Sequence, residues 1–85
     1  MKLGIISINS GTVSYTPVSQ LHSERVREIS AILYNFPPTC NLLLVHLYPI
    51  EVRLLLRKFT DFHFDIVDEE MGLPTIYIGI SRMLQ

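Results

Sequence analysis

Histidine, aspartate and tyrosine side chains at alternating positions are the residues of this sequence that are best suited to chemistry. His46 lies in an apolar run, and His63 and Asp65 lie in a segment that alternates apolar and polar residues. If these segments are strands of one sheet, alternation places His46, His63, Asp65, Tyr77 and Ser81 on the same face. Such a cluster would support proton transfer, because histidine is the usual general base near neutral pH. The alternative interpretation is an ordinary polar sheet face.

Arg25 is a candidate ligand-binding residue. At about 100° per residue it falls inside the apolar arc of a predicted helix, between Val18, Ile29 and Ile32. A planar guanidinium held there is suited to binding a carboxylate or phosphate. The alternative is an arginine stem that covers the edge of the core while its charged end reaches water.

Metal and cofactor sites are not expected. His22, His46 and His63 are separated by about 17 to 24 residues, whereas zinc ligands occur in closely spaced pairs. The acidic run 68–70 lacks the further oxygen ligands of a calcium loop, which predicts a solvated turn. Cys40 is the only cysteine, so it forms no intramolecular disulfide and is consistent with a reducing cytoplasm.

Composition restricts the class of protein. Eighty-five residues, 48% hydrophobic and 18% charged, predict one folded domain over residues 1–85. The formal charge of -1 disfavours nucleic acid as a partner. The N-terminal apolar run is interrupted too early for a signal peptide, and no run approaches the roughly 20 apolar residues that span a membrane.

The first half of the chain predicts a strand and a helix. Residues 3–8 are rich in β-branched side chains and end in a turn signal, so they predict a strand. Residues 12–15 are either a short antiparallel partner of that strand or an extended loop. Thr16 and Pro17 predict a helix start, because proline is favoured at the first helical position. The helix is expected to end before residues 37–38, which are both proline.

The second half predicts three strands and one helix. Residues 42–47 are apolar on both faces, which is typical of a central strand. A helix should begin at residues 48–49 and end near residues 60–61. Residues 62–67 and 76–81 alternate, and the turn between them makes them an antiparallel hairpin. The expected fold is an α+β two-layer sandwich of order βαβαββ, with an optional N-terminal hairpin arm, a mixed four-stranded sheet and both helices on one face.

Apolar residues on two predicted surfaces indicate a protein partner. If Leu42 and Leu44 lie on the sheet face without helices, they need a cover, which is either a partner or the N-terminal arm. The second helix has an apolar pair next to two arginines on the side away from the core, which fits a partner-binding surface. These residues are Ile50, Arg53, Leu54 and Arg57.

Residues 13–82 resemble the TusA/SirA-like sulfur-carrier fold. The segment Thr16-Pro17-Val18-Ser19 occupies the place of the family's Cys-Pro-x-Pro motif, and residues 72–78 resemble its last hairpin. The resemblance implies the two-layer fold and a ligand-binding role at Thr16. It does not imply sulfur transfer, because the reacting thiolate is replaced by a hydroxyl.

Two functions follow from these patterns. The first is a non-enzymatic binding or adaptor module that acts through homodimerisation or another protein partner, with no cofactor. The alternative is a small enzyme or ligand carrier that uses His46, His63, Asp65 and Tyr77 on the open sheet face.

Overall fold

A computed structural model describes residues 3–9, 12–36, 38, 40–69 and 75–83. Within these residues the elements follow in the order β1 (Gly4–Asn9), β2 (Thr12–Pro17), α1 (His22–Tyr34), β3 (Cys40–Leu47), α2 (Pro49–Lys58), β4 (Phe62–Glu69) and β5 (Ile76–Arg82). The predicted α+β class is confirmed.

The sheet differs from the predicted one in both strand number and strand direction. Its order is β2-β1-β3-β5-β4, and all neighbouring strands are antiparallel. The prediction of four strands in a mixed sheet is therefore wrong. The hairpin of β1 and β2 reverses the chain, so that α1 leads into a β3 that is antiparallel to β1. Strands β3 and β4 run parallel to each other, but β5 lies between them, so they do not pair directly. The central position of β3 is confirmed.

Pro17 ends strand β2 instead of beginning a helix, so the predicted helix start at residues 16–17 is wrong. Strand β2 lies at the edge of the sheet, where proline is tolerated because one side of the strand needs no hydrogen-bond donor. After the strand, the Ser19 hydroxyl donates to a carboxylate oxygen of Glu24 at 2.7 Å. Helix α1 begins only at His22.

One hydrophobic core lies between the two helices and the sheet. Alternation along β3 places Leu43, Val45 and Leu47 in this core, as predicted. Both helices contribute to it, which confirms that they cover the same face. The buried apolar residues are Ile5, Ile29, Leu33, Phe36, Cys40, Leu43, Val45, Leu47, Val52, Leu55, Phe59, Ile78 and Ile80.

The ends of α2 and β4 differ slightly from the prediction. Helix α2 begins at Pro49, as expected, and ends at Lys58, two residues early. Strand β4 continues to Glu69 through an irregularity in register between Ile66 and Asp68, so the first two residues of the predicted turn belong to the strand. Residues 70–74 of that turn lie outside the described residues. In the part of the chain that is described, no helix is long and apolar enough to cross a membrane.

Adjacent leucines on α2 provide a test of the assigned core. Leu55 is fully buried, whereas Leu56 is 46% exposed. We expect Leu55→Ala to lower the free energy of unfolding by about 2–5 kcal/mol, because it leaves a cavity, and Leu56→Ala to lower it by less than about 1 kcal/mol. Urea unfolding of both variants measures the difference. Equal losses would contradict the assigned orientation of α2.

Candidate functional site

The sheet face opposite the helices, called the open face below, is apolar over three adjacent strands. On β1, Ile6 pairs with Tyr15 of β2 and Leu44 of β3. Ile8 pairs in the same way with Val13 and Leu42. Because paired residues lie on the same face, these side chains form one patch, called the apolar half below. Its members are Ile6, Ile8, Val13, Tyr15, Leu42 and Leu44.

The alternation of β2 is the opposite of what a strand over a one-sided core would show. Its apolar residues, Val13 and Tyr15, lie on the open face and are 62% and 49% exposed. Its polar residues, Ser14 and Thr16, pair with the helix-side residues of β1. Alternation normally directs apolar side chains towards a covered surface. Strand β2 therefore has the pattern of a strand whose open face is covered by another layer.

The N-terminal arm does not provide that layer. One prediction was that this arm folds across Leu42 and Leu44. Instead, β1 and β2 pair edge to edge with β3 and extend the sheet. Leu42 and Leu44 lie on the open face as expected, and each remains only half-buried.

Two glycines allow side chains of the open face to lie close to the sheet. At Gly79, a β-carbon would lie 3.2 Å from Leu42 Cδ1 and 3.3 Å from Val67 Cγ2. At Gly4, the ring of Tyr15 occupies the space that a side chain would need. The missing β-carbons therefore let large apolar side chains pack directly against the backbone of the sheet.

The predicted histidine cluster lies on the open face but separates into two pairs. His46 stacks on Tyr77 with ring centroids 4.5 Å apart. His63 Nε2 lies 2.9 Å from an oxygen of Asp65. His63 is opposite Ser81, which is four residues from Tyr77, the partner of His46, so the two histidines are at least about 13 Å apart along the strands at about 3.3 Å per residue. This distance is too long for one proton-transfer site.

A buried ion pair connects both helices and the end of β3. The Arg25 side chain is fully buried, and its Nε donates to Glu51 Oε2 at 2.5 Å while Nη2 donates to Oε1 at 2.9 Å. Nη2 also donates to the carbonyl oxygen of His46 at 2.7 Å. The guanidinium lies 5.4 Å from the centre of the Tyr48 ring. Neither predicted role of Arg25 describes this arrangement, because the charged end reaches a carboxylate of the same chain and not water.

Glu51 completes this centre and was missed by the sequence analysis. It accepts hydrogen bonds from the Tyr48 backbone N–H at 2.7 Å and lies 3.2 Å from His22 Nδ1. Its position was recognisable, because it is the third residue of a helix that begins at Pro49 and lies four residues before buried Leu55. A carboxylate at this position accepts a hydrogen bond at the start of the helix, and it also lies on the apolar side of the helix.

Hydrogen bonds keep the Glu51 carboxylate ionised. Burial alone would raise its pKa, but the hydrogen bonds from Arg25, the Tyr48 backbone and His22, together with the charge of Arg25, lower the pKa below its ordinary value of 4.5. Arg25 and Glu51 thus form a charged pair that links the two helices. Arg25 Nη1 is buried and has no hydrogen-bond partner among the described residues.

The remaining predicted site residues lie apart from these groups. Thr16 is exposed near the end of β2, and Ile50 and Leu54 are 49% and 41% exposed on α2. Arg53 and Arg57 are exposed on the same helix. Cys40 is a buried free thiol in the core. Among the described residues, no group of three histidine, cysteine or acidic side chains is placed to hold a metal ion.

Comparisons with protein-family models, with curated proteins and with solved structures found no match to this chain.

A double-mutant cycle tests the buried pair. Glu51→Gln and Arg25→Met should each lower the free energy of unfolding by about 3–5 kcal/mol, since each leaves an ionic or polar group buried without its partner. The double variant should lose less than the sum of the two losses, because neither charge remains. Additive losses in urea unfolding would show that the residues do not interact.

The low pKa of Glu51 predicts a specific pH dependence. A carboxyl group whose pKa is lower in the folded state adds stability above its unfolded pKa, and this contribution disappears as the pH falls through the folded-state value. The stability difference between the wild type and Glu51→Gln should therefore shrink as the pH is lowered from neutrality to below 4.5. Urea unfolding at several pH values measures it, and a constant difference would contradict the assigned charge state.

Proposed function

We propose that this chain is a non-enzymatic binding module that acts as a homodimer through its open face. The observation that carries the proposal is the orientation of Val13 and Tyr15, which lie away from the core on an edge strand. A second sheet packed on this face would give both residues the apolar surroundings that their alternation indicates.

The size of the open face fits such an interface. Five strands about 4.8 Å apart and about 20 Å long give a flat area of about 480 Å². Side-chain relief increases the accessible area above this value, towards the roughly 800 Å² that each partner buries in a standard interface. A second copy that covers the whole face would therefore bury at least about 1,000 Å² in total, which is near the lower limit of specific interfaces.

The distribution of polarity favours a second copy over a strongly charged partner. The apolar half, which extends from the central strand β3 to the β2 edge, supplies an apolar contact region, and the exposed His63 and Asp65 supply a polar border on the β4 side. The formal charge of -1 causes little repulsion between two copies. A two-fold axis that runs parallel to the sheet and across its strands would place one apolar half against the other and cover the whole face.

The alternative functions have less support. An enzyme that uses His46 and His63 together would need them within hydrogen-bonding reach of one substrate, and their separation disfavours this. The TusA/SirA-like resemblance remains a prediction about the fold alone, because Thr16 has a hydroxyl where the family has a thiol. A cytoplasmic location is part of the proposal and is supported by the free thiol of Cys40.

A matched pair of variants tests the dimer. Val13 and Ile66 are 62% and 61% exposed, and both lie on edge strands, but Ile66 pairs with the buried Ile78 and is on the helix side. Val13→Asp should weaken dimerisation by about 100-fold or more, because a carboxylate would be buried without a partner in each copy. Ile66→Asp should leave it unchanged.

Sedimentation velocity over a wide range of protein concentrations measures both effects. We expect the wild type to be dimeric. A wild type that stays monomeric at every concentration would overturn the proposal. Equal weakening by the two substitutions would also overturn it, since the interface would then not be the open face.

A further inference from the structure

A groove of about 670 Å³ lies where α1 and α2 end and where β4 begins. Small-molecule sites commonly measure about 300–1,000 Å³, so the groove has room for such a ligand. It is on the helix side of the sheet and remains accessible when a second copy covers the open face. It is therefore independent of the proposed dimer.

Aromatic rings from three elements form one wall of the groove. The rings of Tyr34 and Phe59 meet edge to face at 4.9 Å, and those of Phe59 and Phe62 meet at 6.0 Å. Tyr34 is 71% exposed, so its ring is available for contact. Such a wall favours a flat aromatic ligand, which can pack against ring edges and faces.

Arg82 is held in position beside these rings. Its Nη2 donates to the carbonyl oxygen of Phe36 at 2.7 Å, and its guanidinium lies 5.4 Å and 5.8 Å from the ring centres of Phe36 and Phe62. Among the described residues, no carboxylate is paired with Arg82. A guanidinium already fixed by packing loses little freedom on binding a planar anion.

The charges that line the groove favour a ligand with a single negative charge. Lys58 and Arg82 are cationic and Asp61 is anionic, which leaves one net positive charge. A carboxylate matches this balance and the planar fork of arginine, whereas a phosphate dianion would exceed it. We infer that this groove binds a small aromatic carboxylate, with its ring against the exposed ring of Tyr34 and its carboxylate between Arg82 and Lys58.

The inference is tested with 2-naphthoate as the probe and its uncharged amide, 2-naphthamide, as the matched ligand. NMR titration of the 85-residue chain should show saturable shifts at the methyl groups of Leu33 and Met83, which line the groove. The amide should bind at least about 10-fold more weakly, since it lacks the charge-assisted hydrogen bond. Inorganic phosphate should cause no saturable shift at these methyl groups.

Neighbouring cations on α2 provide the control. Lys58 lines the groove and Arg57 does not, although both are exposed and both substitutions by glutamine remove one positive charge. Lys58→Gln should weaken naphthoate binding by about 2- to 5-fold, as expected for an exposed ion pair, and Arg57→Gln should leave it unchanged. Arg82→Lys should weaken it by about 10-fold, because the fork is lost while the charge is kept.

Three results would overturn the inference. The first is the absence of saturable shifts at Leu33 and Met83. The second is equal binding of the acid and the amide, which would remove the role of the carboxylate. The third is equal weakening by the Lys58 and Arg57 substitutions, which would show that naphthoate binding depends only on the overall charge of the protein. Dimerisation of the same samples reports on the open face separately.

Discussion

Two short helices, of thirteen and ten residues, cover only one face of a five-stranded sheet. Because the helices cover a single face, the other face of the sheet is in contact with solvent. Apolar residues on the helix side enter the core. On the other side, half-buried Leu42 and Leu44 meet exposed Val13 and Tyr15 with no second layer from the described chain. This extended apolar surface on a small protein is the basis of the proposed dimer.

The Arg25–Glu51 ion pair fixes the arrangement of the helices over that sheet. A single guanidinium contacts a carboxylate on α2 and a backbone carbonyl at the end of β3, so a shift of any one element disrupts the others. Apolar packing tolerates small displacements, whereas a buried charged pair requires its partners at hydrogen-bonding distance. The pair thus constrains the relative positions of α1, α2 and β3 more than it adds net stability.

The sequence predicted the elements better than their pairing. Strand β3, helix α2 and the β4–β5 hairpin were recognised because apolar periodicity is local. The order of the strands in the sheet was not recognised. Strand β2 has only six residues, several of them polar, so its sequence pattern is weak, yet its presence decides the direction of the strands that follow it. The Thr16-Pro17 pair has the same residues as a helix start, and only its place at a sheet edge distinguishes the two. Glu51 was missed because a charged residue is assumed to be exposed, and the separation of His46 from His63 depends on strand register.

The exposed edge formed by β4 has a consequence for how copies of this chain associate. Its backbone is free to pair with further strands, which is the geometry of fibril growth. However, Asp65, Asp68 and Glu69 place negative charge along this strand, and the register irregularity after Ile66 interrupts its straight run. Two such edges would repel each other and fit poorly. Strand addition at the β4 edge is thereby discouraged, whereas β2, the other edge of the sheet, carries no charged side chain and ends at Pro17.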